Sequence, residues 1–107
     1  MMQPDLFAAT NARDEALARV MRNADSQWTK TAALLIMDVA DSTDEFTTDE
    51  VWSALHRVDA RTHEPRALGA VMKSLASAGL IVATDNWRQS IRPECHARPV
   101  RIWRRAE

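Results

Sequence analysis

The sequence has one cysteine, two glycines, four prolines and no tyrosine in 107 residues. A lone Cys95 excludes an intramolecular disulfide. So little glycine, together with apolar residues that recur without turn punctuation, disfavours a many-stranded β fold and favours helices. The longest apolar run, Ala32 to Met37, is far too short for a membrane-spanning helix. The opening MMQPDLFAATNARDE has neither a basic nor an apolar segment of the signal-peptide kind, so a cytoplasmic protein with no membrane partner is expected. Gly-rich phosphate loops, G-x-S-x-G and H-E-x-x-H are all missing, and we expect no enzyme. The pair Cys95-His96 has only His56 and His63 as further soft ligands, too few for zinc, so neither a metal nor a cofactor is expected.

What is present is an ordinary globular composition, 46% hydrophobic and 27% charged, long enough for one core. The net charge of −1 conceals an asymmetry. Residues 1–55 hold four Lys+Arg against ten Asp+Glu, a balance of −6, and residues 56–107 hold ten against five, a balance of +5. The split suggests a face that attracts an anion, or else two halves that attract each other.

Residues 5–24 read as a helix capped by Asp5, with Leu6, Ala9, Leu17, Val20 and Met21 as a weak apolar stripe and Arg13, Asp14, Arg19 and Arg22 on a solvated face. A second helix is expected from Ser26, its N-cap, to Ala40, burying Trp28, Ala32, Leu35, Ile36 and Val39. Thr47-Thr48-Asp49-Glu50 has capping-box spacing. The helix it opens carries Val51, Trp52 and Leu55 inward and ends near Arg57, with Val58 plugging the turn. The next helix is expected from His63 to Ala78, capped by Thr62 with Pro65 in its first turn; Leu68, Val71, Met72 and Leu75 face inward and Gly79 stops it in a left-handed conformation. Leu80 to Thr84 is β-branched and short, and Arg98 to Trp103 alternates, so both read as strands. Asp85 to Ala97 is then a long hairpin loop, and Pro99, which has no ladder donor, belongs at an edge or a strand start. Phe46 would supply a short third strand.

This order predicts a mainly α protein with a small antiparallel β-hairpin: a winged helix-turn-helix in residues 25–107, with residues 1–24 as an N-terminal helical extension; residues 5–40 complete the core and offer a candidate homodimer surface. In such a fold the helix from His63 is the recognition helix. Its outward residues Arg66, Gly69, Ala70, Lys73, Ser74 and Ser77 are mostly small, which lets a helix enter a major groove closely, and Arg66 sits near the helix start, where base contacts concentrate. Arg61 precedes it on the turn and His63 begins it. The hairpin holds six arginines between Asn86 and Arg105, namely Arg88, Arg92, Arg98, Arg101, Arg104 and Arg105, with Glu94 the only acid. Guanidinium forks suit phosphate and a narrow minor groove. Five or six phosphate contacts would make binding steeply salt-dependent. The candidate DNA-binding set is therefore Arg61, His63, Arg66, Gly69, Ala70, Lys73, Ser74, Ser77, Arg88, Arg92, Arg98 and Arg101. Trp28 and Trp52 read as core, whereas Trp87 can face outward. The alternative is a protein-interaction module that docks a host or phage protein through the same fold or through its acidic N-terminal face.

The segments FTTDEVW (46–52), EPRALGAVM (64–72) and RPECHARPVRIW (92–103) resemble small helix-turn-helix proteins of actinobacterial bacteriophages and prophages, and Asp5-Leu6-Phe7 and Ala12-Arg13-Asp14-Glu15 are similar too. The resemblance implies duplex-DNA binding inside an infected bacterium, with a role in transcription or another DNA transaction. It carries Arg66, Arg92, Arg98 and Arg101 over as contact residues.

Overall fold

The computed structural model describes the backbone of residues 4–62 and 64–106, with side chains from residue 12 onward except that of residue 63. Among the described residues the chain forms α1 (Pro4–Arg22), α2 (Gln27–Ser42), α3 (Thr48–Arg57), α4 (Ala67–Ser77), β1 (Ile81–Gln89), a 3-10 turn (Pro93–Cys95) and β2 (Pro99–Arg105). The fold is mainly helical with one antiparallel hairpin, as expected. The calls on Asp5, Leu6, Ala9 and His63 lie outside the described side chains. No described helix is long and apolar enough to cross a membrane.

Local chemistry accounts for most of the boundaries. Ser26 caps α2, its hydroxyl accepting the Thr29 amide at 3.1 Å. Thr47 and Glu50 form the capping box on α3: the Thr47 hydroxyl accepts the Asp49 amide at 3.1 Å, and the Glu50 carboxylate accepts the Thr47 amide at 3.0 Å. The two central helices end alike. Asp59 and Gly79 take left-handed backbone at φ 55° and 78°. The next residue then bonds back across the last turn, Ala60 N to Leu55 O at 2.9 Å and Leu80 N to Leu75 O at 3.0 Å. This is the Schellman arrangement. Asp tolerates that conformation better than most side chains, so α3 needs no glycine to stop.

α4 begins later than expected. Thr62 does not cap it; its hydroxyl accepts the Glu64 amide in a local turn at 3.1 Å. A second turn, Ala67 N to Glu64 O at 2.9 Å, leads into the helix, with Arg66 at its start. The residue before a proline is pushed away from helical backbone, so Glu64-Pro65 holds the chain in turns.

The core is built from Ala32, Ala33, Ile36, Met37 and Ala40 of α2, Phe46, Val51 and Leu55, the four expected α4 residues, and Leu80 and Ile81. On α2 the buried face is rotated from the expected stripe: Ala33 and Met37 are buried, whereas Leu35 and Val39 are only partly covered. α2 is flanked by α1, α3, α4 and β2 together. Trp28 and Trp52 pack on the edge of the core, not inside it, with ring centroids 6.4 Å apart. Val58, expected under the turn, is 54% exposed, because Ala60 fills that place. Arg13, expected in solvent, pairs with Asp41.

β1 is longer than expected. It runs to Gln89, so the first five residues of the anticipated loop, Asp85 to Gln89, are strand, and the connection is residues 90–98. Ile81 to Ala83 pair with Arg105 to Trp103, then Trp87 to Gln89 pair with Arg101 to Pro99. Thr84, Asp85 and Asn86 therefore stand opposite Ile102 alone, a wide bulge. Side chains hold it: the Thr84 hydroxyl donates to Ile102 O at 2.7 Å and accepts the Asn86 amide at 3.1 Å. Pro99 starts β2, as its missing donor requires. Phe46 bridges to Trp103 through two backbone bonds of 2.9 and 2.7 Å, the expected third-strand contact.

Candidate nucleic-acid interface

The sequence singled out two clusters, the outward side of α4 and the arginines of the hairpin. They fare differently.

On α4, Leu68, Val71, Met72 and Leu75 are buried, and helical spacing leaves Arg66, Gly69, Ala70, Lys73, Ser74 and Ser77 exposed. Open space surrounds Gly69, where even a Cβ would meet nothing within 4 Å. Arg66 and Lys73 form no ion pair among the described residues. The Ser74 hydroxyl is spent on its own helix, donating to Ala70 O at 3.1 Å. One flank of the stripe is walled. Ala70, Lys73, Ser74 and Ser77 share an open groove of about 770 Å³ with Arg19, Val20, Asn23, Ala24 and Asp25 at the end of α1 and with Thr29 of α2. Arg19 therefore belongs with Lys73, which sequence reading missed because nothing local links residues 54 positions apart. Arg61 pairs with Asp59 at 2.9 Å, but both side chains are almost fully in water, where such a pair contributes little.

The hairpin arginines are largely committed to the protein itself. Arg88 reaches across to Glu50 of α3 at 2.7 Å. Arg92 pairs with Glu94 at 2.7 Å and lies over the Trp52 ring, 4.8 Å from its centroid. Arg105 approaches Asp41 at 3.4 Å. Arg101 donates to Thr84 O at 2.7 Å and stacks on Trp87, 4.2 Å from the ring centroid. Arg98, Arg101 and Arg104 have no carboxylate partner among the described residues, and Arg104 sits beside Asp41 and Asp44 in another hollow. The expectation of an all-round arginine grip thus needs correction: of the four hairpin candidates, Arg98 alone is unengaged. An exposed ion pair contributes only about 0.2–1 kcal/mol and is easily opened. Opening Arg88, however, would leave the Glu50 charge facing any phosphate that Arg88 met. Two of these pairs, Arg88–Glu50 and Arg105–Asp41, join the basic half to the acidic half, the attraction that the charge asymmetry allowed.

Acids expected to be mere caps or loop residues anchor the hairpin. Asp49, 4% exposed, accepts the Ser90 hydroxyl and the Ile91 amide, each at 2.8 Å. Glu50 carries the capping box and Arg88 together. Partial burial opposes its charge, but hydrogen bonds from the Thr47 hydroxyl and amide, its own amide and Arg88 outweigh this and hold its carboxyl below the usual range. Among the described residues, no group of three or more His, Cys, Asp and Glu could hold a metal ion.

Comparison with protein-family models, curated proteins and solved structures finds no match for this chain.

Proposed function

We propose that the chain is a winged helix-turn-helix protein that binds duplex DNA, with α3 and α4 as the helix-turn-helix, α4 in the major groove and the β1–β2 hairpin as the wing. On the family resemblance it regulates transcription or another DNA transaction inside a phage-infected bacterium. One observation carries the reading. The exposed stripe of α4 presents Arg66 and Lys73 among small residues, neither with a carboxylate partner among the described residues, in a stretch from Pro65 to Thr84 that contains no acid, with Asp25 across the groove beside Lys73. A helix meant to pack against solvent alone usually mixes charges along its face; one that approaches a polyanion benefits from excluding acids. Arg98 of the wing adds a third cation.

Three phosphate contacts set the expected salt response at about −0.9 each, a log–log slope near −3, shallower than six arginines would give. Fluorescence anisotropy with labelled duplex DNA over a salt series measures it. A slope near zero, or no binding at low salt, overturns the reading.

A second reading, a protein-interaction module, draws on a different observation. An open groove of about 550 Å³ between α2 and α3 combines apolar Leu35, Val39 and Val58 with acidic Asp38 and Glu50 and the cation Arg57, Glu50 being paired with Arg88. Leu34, on α2, is 50% exposed. This face suits a basic, apolar segment of a host or phage protein, and it is the reading that remains if duplex DNA is not bound.

A further inference from the structure

Trp87 is 55% exposed in the most basic part of the chain. It is also fixed. The bulge at Thr84 to Asn86 resets the strand so that Trp87 stands directly opposite Arg101. The Thr84 carbonyl holds the Arg101 guanidinium at 2.7 Å, and that flat group covers one face of the ring. Arg88, one residue on, points to the other side of the hairpin and reaches Glu50. The indole is thus braced from one side and stiffened by the ladder below it.

We propose that Trp87 stacks on a nucleobase at a discontinuity in DNA, a gap or an opened step, with the base in a sandwich over the Arg101-backed indole. This rests on the duplex-binding reading and names the DNA form it prefers. An indole has a single donor and cannot read base edges as Arg or Asn does; its broad resource is the π-face. In intact duplex every base face is covered by its neighbours, so stacking requires unstacking first. One base stacked on an aromatic side chain raises affinity roughly ten- to a hundredfold, and opening an intact step costs about as much. The two cancel on continuous duplex, and the gain appears only where the step is already open. The surroundings carry both signs: Asp85, in the bulge two residues before Trp87, is exposed, whereas Glu94 is paired with Arg92 and Arg98 is unengaged among the described residues.

The test compares the affinity of the full chain for one duplex, intact and with a single-nucleotide gap, by anisotropy, with quenching of tryptophan emission as a second readout. The gapped form should bind about tenfold tighter. Trp87→Leu should remove that preference and most of the quenching while leaving affinity for intact duplex within about twofold; Trp87→Phe should retain part of the preference. Circular dichroism checks that each variant is folded. Equal affinity for both forms, or a preference that survives Trp87→Leu, overturns the proposal while duplex binding stands. A Trp87-dependent preference for the gap with no binding to intact duplex sustains the stacking role and fells the groove reading. No binding to either DNA fells both.

Discussion

Replacing Asp49 with alanine removes the carboxylate that ties the hairpin connection to the start of α3. Both of its oxygens are used, on the Ser90 hydroxyl and the Ile91 amide at 2.8 Å, in a site where Asp49 is 4% exposed. A hydrogen bond to a charged group contributes about 1.5–3 kcal/mol, so the pair bounds the loss at about 3–6 kcal/mol. Ile91 is 82% exposed, so water can reach its amide once the carboxylate is gone and return part of that loss. The expected net destabilisation is about 2–3 kcal/mol. At about 4–8 °C per kcal/mol for a domain of this size, Tm should fall by about 8–24 °C. Urea and thermal unfolding followed by circular dichroism measure it. Asp49→Asn keeps an acceptor for the Ile91 amide and can donate its NH2 to the Ser90 hydroxyl, losing the charge but not the contacts, and should lose less than alanine does. A change under about 0.5 kcal/mol for Asp49→Ala would refute the claim that this carboxylate anchors the hairpin.

The Glu50 carboxyl is held below its ordinary value of 4.5, so its stabilising share is present above that pH and disappears as the folded form takes up a proton below it. Wild type should therefore exceed Glu50→Gln in stability at pH 7, and the two should converge in parallel urea titrations as the pH falls below 4.5 and through the lowered folded-state value. Gly79 and Ala97 make an opposed pair at φ 78° and 60°. Gly79→Ala should cost about 1–2 kcal/mol by backbone strain alone, because its Cβ would meet open space, whereas Ala97→Gly should stabilise by up to about 1 kcal/mol. Thermal melts of the two variants check both signs.

Local signals in the sequence were legible and physical. The Thr47–Glu50 capping box, the Gly79 stop, the Ser26 cap and Pro99 at a strand start each follow from one residue's hydrogen-bonding or backbone freedom. The coarse fold followed from them. The misses were non-local. The start of α4 turned on Pro65 acting on Glu64, a conflict between two rules about proline that sequence reading settled the wrong way. The bulge at Thr84 to Asn86 is held by a hydroxyl bonding to a strand 18 residues away, and nothing in the local pattern announces it. The arginine count was legible, but the fate of each arginine was not. Arg88 meets Glu50 across 38 residues and Arg105 meets Asp41 across 64, so the same charges that suggested a phosphate grip are partly consumed inside the fold. The signal available was the charge split itself, which permits internal pairing as readily as an anion site.

The central claim is that α4, more than the arginines of the wing, carries contact with duplex DNA. Salt-series anisotropy on Arg66→Ala/Lys73→Ala beside Arg88→Gln tests it most directly. The account predicts that the α4 double variant weakens binding and makes the slope shallower by about 2, while Arg88→Gln leaves the slope unchanged. An α4 variant that binds like wild type, or a slope that falls only when Arg88 is neutralised, would contradict it.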